Sequence, residues 1–192
     1  MSETFEGNME GCYLYSRNSS PSNLYLAEAC AALEGTEAAN VFSSGMGAIT
    51  ATILQLCKSE DHIISSRTVY GGTYAFLKNF TPQLKIETTF VDITSLDDIN
   101  NSIKPNTKII YCEVSSNPLL EIADLEEISK IAKKNNIKLV VDNTFTPLSV
   151  SPAKYGADVV IHSLTKFING TSDTIAGVVS VSYTHLRAHE TN

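Results

Sequence analysis

The sequence predicts an α/β fold, a mostly parallel β-sheet sandwiched between helices. Three observations lead there. Short apolar runs alternate along the chain with stretches of helical character, the pattern of a sheet covered on both faces. The runs end in SSGM, SRTVYGG, EVSSNP, DNTF and HSLTK, clusters of polar, aromatic and glycine residues. In such sheets ligands gather beyond the carboxyl ends of the strands. Finally, 192 residues with 43% hydrophobic and 18% charged side chains suit one globular domain, or one and a fragment, with enough apolar surface for a core.

Residues 1–21 read as irregular, ending in the turn-prone RNSSPS. Ser22 is the expected N-cap of a helix reaching Glu34 and closed by Gly35, with Leu24, Leu26, Ala29, Ala32 and Leu33 available for packing. Asn40–Phe42 is a short strand, running through SSGMG into a helix from Ala48 to Cys57. His62–Ser65 is the next strand, followed by TVYGGT and a helix near Tyr74–Phe80. Lys85–Val91 alternates as a strand, and Ser95–Ile103 is a weak helix. Lys108–Glu113 is a strand, SSNP follows, and Asp124 caps a helix to Lys134. Ile137–Asp142 is a strand leading into NTFTP. Asp158–Ile161 is the last strand expected; it stops at His162-Ser163 and delivers Lys166 between Thr165 and Phe167.

Several function classes are disfavoured. A net charge of −7 without a lysine/arginine cluster argues against a nucleic-acid partner. No apolar run approaches the roughly 20 residues of a membrane span, and MSETFEGNMEGCYLY has neither the basic nor the apolar region of a signal peptide. Cys12, Cys30, Cys57 and Cys112 form no C-x-x-C pair. They read as reduced, mostly buried thiols of a cytoplasmic protein, where the sequons at Asn18 and Asn169 carry no meaning. His185 and His189 stand four apart but have no third ligand, so no metal site is expected.

The strand ends suggest chemistry. Lys166, set past a buried strand, is either a solvated loop residue or an amine nucleophile activated by desolvation. Ser44-Gly45-Met46 lies between a strand and a helix, where free N–H groups favour an anion such as phosphate; a plain tight turn is the alternative. Asp142 ends an apolar strand, so it is either a desolvated carboxylate needing a cation, such as a protonated pyridine nitrogen, or a turn aspartate. Tyr70 can stack on a flat ring or simply fill a loop. Asn117 can bond a ring oxygen or shape the turn at Pro118. A dinucleotide site on GMGAIT is disfavoured, because Thr50 occupies the third glycine position and no acidic residue ends the next strand. An anion cradle, a stacking ring, a buried carboxylate and an amine are together the requirements of pyridoxal phosphate held as a Schiff base.

YSRNSSPS (Tyr15–Ser22), SSGMGAI (Ser43–Ile49), VYGGT (Val69–Thr73), EVSSNP (Glu113–Pro118), VVDNTF (Val140–Phe145) and GADVVIHSLTKFING (Gly156–Gly170) occur in the order of one family. The chain resembles the Cys/Met-metabolism enzymes that use pyridoxal phosphate, the trans-sulfuration enzymes, and its wording is most similar to plant-type methionine γ-lyases. The resemblance implies an aspartate-aminotransferase-like (fold type I) large domain. It implies that Lys166 carries the cofactor and serves with Tyr70 and Asp142 in catalysis, and that Asp142 meets the ring nitrogen. It places Tyr70 on the ring and Asn117 at the ring hydroxyl. Ser44, Gly45, Met46, Ser163 and Thr165 would hold the phosphate, with Tyr15 and Arg17 reaching the phosphate of a neighbouring subunit in a homotetrameric dimer of dimers. The activity implied is γ-elimination or γ-replacement on a sulfur-containing or O-acylated amino acid. Methionine γ-lyase chemistry, giving 2-oxobutanoate, ammonia and a thiol, comes first; cystathionine γ-synthase, cystathionine γ-lyase, O-acetylhomoserine sulfhydrylase and an inactive cofactor-binding fragment are the alternatives.

The likeness has departures. Gly72 replaces a cysteine common in bacterial methionine γ-lyases, Thr171 replaces a frequent histidine, and the Pro147 loop is one residue short. The expected organisation is a partial N-terminal arm over 1–21 and an incomplete cofactor-binding large domain over 22–181. A non-native tail over 182–192 stands in place of the rest of the large domain and a C-terminal small domain.

Overall fold

The computed structural model describes Tyr13 and residues 20–181. The expectations for Cys12, Tyr15, Arg17, Asn18, His185, His189 and the tail lie outside the described residues.

Helix α1 spans Pro21–Glu34. Its N-cap is Ser20 rather than Ser22: the Ser20 hydroxyl accepts the Asn23 N–H, and Pro21 sits at the first helical position, where its missing N–H costs nothing. Gly35 closes the helix at φ +70, in the left-handed region that glycine tolerates. The packing face differs from expectation. Ala27, Cys30, Ala31 and Glu34 are buried, whereas Leu24, Leu26, Ala29, Ala32 and Leu33 face outward. The small residues Ala27, Cys30 and Ala31 at i, i+3 and i+4 let the backbone lie close against the sheet, and that proximity outweighs leucine hydropathy.

The remaining elements are β1 (Ala38–Phe42), α2 (Gly45–Leu56), β2 (His62–Ser66), α3 (Gly71–Ala75), β3 (Glu87–Val91), α4 (Leu96–Asn101), β4 (Thr107–Glu113), α5 (Leu125–Lys134), β5 (Lys138–Asp142), β6 (Val159–Ser163) and β7 (Gly177–Val181). Two helices begin earlier than expected, α2 at Gly45 instead of Ala48 and α3 at Gly71 instead of Tyr74. Phe76–Phe80 continues α3 as a π-helical turn. Ser95 and Asp124 cap α4 and α5 through their side chains.

The strands form one sheet in the order β1-β7-β6-β5-β4-β2-β3. β2 to β6 pair in parallel, while β7, absent from the sequence reading, runs antiparallel between β1 and β6. β1 therefore points the same way as β6, and the carboxyl ends of β1, β2, β4, β5 and β6 share one edge.

Alternation along the strands fills both faces. Ile63, Ile109, Tyr111, Val140 and Ile161 pack with Ile49, Ile53 and Leu77 on one face. Ile64, Ile110, Cys112, Leu139 and Val141 pack with Ile99 and Ile128 on the other. Each fully buried isoleucine or leucine stabilises the fold by roughly 1.5–3 kcal/mol. Cys30, Cys57 and Cys112 are free and buried, as anticipated. No helix among the described residues is long and apolar enough to cross a membrane.

One polar knot joins α1 to this core. Glu34 Oε1 lies 2.6 Å from His162 Nε2 and accepts the Asn143 amide at 3.0 Å, and all three residues are at most 1% exposed. Ser151 adds a bond to the Glu34 carbonyl. Removing one member strands the others in a dry interior. Glu34→Ala is thus expected to destabilise the protein by about 3 kcal/mol or more, and Glu34→Gln by less; urea unfolding of both variants measures the difference.

Candidate active site

The turn between β1 and α2 is fastened to the strands beside it. The Ser44 hydroxyl caps α2 by accepting the Gly47 N–H at 2.9 Å. Gly45 presses on Ser163: a Cβ at position 45 would stand 2.6 Å from Ser163 Cβ. Gly177, opening β7, lies under the same turn, and a Cβ there would stand 2.8 Å from the Gly45 nitrogen. Only glycine fits at either place. The N–H groups of Gly45 and Met46 open α2 without a partner among the described residues. Ser163 donates its N–H to Thr144 Oγ1 at 2.7 Å, and its side chain stays against Gly45. The Thr165 hydroxyl is engaged with the Ala176 backbone, joining this corner to the entry of β7. Backbone donors, a serine hydroxyl and the positive end of a helix suit an anion.

Asp142 ends β5 beside this cradle and is 6% exposed. Its Oδ1 accepts the Thr144 N–H at 2.9 Å and its Oδ2 accepts the Tyr111 hydroxyl at 3.3 Å. Burial pushes its carboxyl above the usual range, and the bonds from Thr144 and the nearby His162 and Tyr111 only partly offset this. No ion pair reaches Asp142 among the described residues. A carboxylate so placed is completed by a cation.

Glu113 is the strand-end neighbour of Asp142 in the β4–β5 register, on the face that carries Tyr111. Its Oε1 accepts the backbone N–H of Tyr70 at 2.6 Å, which sets where α3 begins. The Tyr70 ring is 60% exposed. It folds back over Gly72, whose added Cβ would stand 2.6 Å from Tyr70 Cε1 and 3.2 Å from Met46 Sδ. An exposed aromatic face thus stands at the site rim.

Asn117, also exposed, leaves the same edge after β4. Lys166 is exposed in the turn after β6, its N–H donating to the Ser163 carbonyl and its own carbonyl accepting the Gly170 N–H. β6 is the direct neighbour of β5, so Lys166 and Asp142 issue from adjacent strands at one edge. Ser44, Gly45, Met46, Tyr70, Asn117, Asp142, Ser163, Thr165 and Lys166 all lie along it; Tyr15 and Arg17 are outside the described residues. Tyr111, Thr144 and Glu34 escaped the sequence reading. Tyr111 had a signal, standing two residues before Glu113 on a period-two strand. A shallow depression lined by Glu60, Pro82, Lys85, Ile86, Glu87 and Asn106 is at the opposite, amino-terminal end of β2 and β3.

Comparison with known proteins places these residues in context. A model of the Cys/Met metabolism PLP-dependent enzymes matches residues 1–192. The chain is 49% identical over 169 residues to a methionine gamma-lyase of Arabidopsis thaliana, covering 87% of this chain and 38% of that protein. It is 46% identical over 168 residues to a cystathionine gamma-lyase of Bacillus subtilis (strain 168), covering 87% of this chain and 44% of the relative. A crystal structure of metB from Corynebacterium glutamicum superposes with a TM-score of 0.88 at 38% identity, covering 92% of this chain and 46% of that one. The chain spans less than half the length of these relatives.

Burial, and then the charge of Asp142, push the Glu113 carboxyl up to about 7 from an ordinary 4.5. The folded protein keeps a proton that the unfolded chain has released, so Glu113 supports stability below about 4.5 and loses that support as pH rises through about 7. Glu113→Gln keeps an acceptor for Tyr70 without the charge. In the cofactor-free whole protein, its stability relative to the unmodified protein is expected to improve steadily from pH 5 to pH 8, read from urea midpoints; a pH-independent difference would show the coupling absent.

Proposed function

The chain belongs to the Cys/Met metabolism family of PLP-dependent enzymes, and from that premise we propose that the whole protein is a carbon–sulfur lyase or transferase of sulfur amino-acid metabolism. The reaction is γ-elimination or γ-replacement, and methionine γ-lyase chemistry, yielding 2-oxobutanoate, ammonia and a thiol, is the first reading. The observation that carries it is Asp142, a buried strand-end carboxylate that among the described residues is held by the Thr144 N–H and the Tyr111 hydroxyl, beside a helix start that glycines hold open.

The residues present fit pyridoxal phosphate. The N–H groups of Gly45 and Met46, with Ser163 and Thr165, would hold the phosphate on a turn that Ser44 keeps capped. Asp142 would meet the ring nitrogen, Tyr70 the ring face and Asn117 the ring hydroxyl, and Lys166 would supply the amine. When bound, this cofactor supplies an electron sink for charge developing at a substrate's α-carbon. The amine of Lys166 takes the α-proton in that reading. A second proton would then leave Cβ, whose electron pair expels the Cγ substituent, and Tyr70 would hand a proton to that departing group. Asp142 would keep the ring nitrogen protonated.

Assembly extends the proposal. Tyr15 and Arg17 would reach the phosphate of a neighbouring subunit, so sites would be shared in a dimer of dimers. The buried free thiols of Cys30, Cys57 and Cys112 support a reducing, cytoplasmic setting.

Three measurements test the reading. Borohydride reduction of the cofactor-loaded whole protein, followed by peptide mapping, is expected to find the label on Lys166; a label on another side chain overturns the assignment. Lys166→Ala is expected to lower turnover at least about 10²–10⁴-fold. Assays with methionine, with cystathionine and with O-acetylhomoserine plus sulfide separate elimination from replacement, and no turnover of methionine removes the first choice.

A further inference from the structure

Tyr111 is completely buried on β4 and lines the core face that Asp142 emerges from. A phenylalanine would fill the same apolar space. The hydroxyl adds a polar atom that is costly in the interior unless paired, and its partner is Asp142 Oδ2 at 3.3 Å. The Thr144 N–H already holds Oδ1 of that carboxylate. Each oxygen thus has a donor from a different element, which fixes both the rotation of the carboxylate and the direction left for a ligand.

Charge makes this donor matter. Glu113 faces Asp142 across the strand pair, and burial opposes ionisation of both. Against those effects stand Thr144, His162 and Tyr111. Burial, then the charges of Asp142 and Glu113, push the Tyr111 phenol far above its ordinary value, so it stays protonated and remains a donor.

We propose that Tyr111 is a positioning residue, whose hydroxyl orients the Asp142 carboxylate and holds it ionised so that the site selects a protonatable ring nitrogen. The inference rests on the assignment of Asp142 to that nitrogen. Tyr111 itself touches neither cofactor nor substrate.

The experiment is equilibrium titration of the cofactor-free whole protein with pyridoxal 5′-phosphate and with its 1-deaza analogue, in which carbon replaces the ring nitrogen. The unmodified protein is expected to prefer the natural cofactor. Tyr111→Phe keeps the ring in the core and removes only the hydroxyl. It should weaken pyridoxal phosphate about tenfold, as expected for a lost hydrogen bond to a charged group, and leave the analogue unchanged. In an Asp142→Asn background the same substitution should have no further effect. Equal weakening of both ligands means that Tyr111 acts through packing alone, and no weakening means that its hydroxyl is idle; either overturns the inference. Equal binding of both ligands by the unmodified protein overturns instead the assignment of Asp142.

Discussion

A negative charge at the end of a buried strand is the constraint around which the site is arranged. Asp142 sits where the apolar run of β5 meets the carboxyl edge of the sheet, and water cannot solvate it there. Continuum physics sets the cost of an isolated buried carboxylate at several kcal/mol, so its surroundings must supply donors. They come from three directions: the Thr144 backbone just beyond the strand, the Tyr111 phenol on β4, and the field of His162 on β6. Those groups reduce the penalty without removing it. In the proposed site a ligand cation would complete the arrangement, and the pyridine ring of the family's cofactor would bring one.

The rest of the edge is positioned by close contact rather than by long side-chain networks. Gly45, Gly72 and Gly177 stand where a methyl group would collide with Ser163, with Tyr70 or with the β1–α2 turn. The cradle, the aromatic rim and the strand entry therefore share one rigid corner. Glu113 ties the rim to the carboxylate pair through the Tyr70 backbone. Behind them, Glu34 secures α1 to His162, the residue immediately before Ser163, so a helix on the far face steadies the chain that delivers Lys166.

Much of this was legible in sequence because strand ends carry local chemistry. Apolar runs terminating in Asp142, in His162-Ser163 and in Ser43-Ser44 gave both the direction of the strands and the contents of the edge. What escaped was set by partners distant in the chain. α1 presents alanines, not leucines, to the sheet, a choice governed by how closely β1 and β7 approach and invisible in one helix's hydropathy. Gly45 and Gly71 are poor helix formers, yet they start helices: at Gly45 a side chain would collide with Ser163, while the start at Gly71 is set by the bond from the Tyr70 N–H to Glu113. β7 is a five-residue antiparallel strand that follows β6 with no α-helix between them, so the βα rhythm that located the others did not reach it. Tyr111 looked like a core aromatic until its hydroxyl was seen against Asp142.

Gly177 has a consequence for how the molecule is made. The corner proposed to hold the phosphate is formed by residues near position 44 at one end of the described chain and near position 177 at the other, locked backbone to backbone. Contacts that distant in sequence form late, after the entropy of a long loop has been overcome. On the proposed reading, a nascent polypeptide emerging from the ribosome would have no phosphate pocket until β7 arrives between β1 and β6, and uptake of the vitamin-derived coenzyme would wait on completion of the sheet.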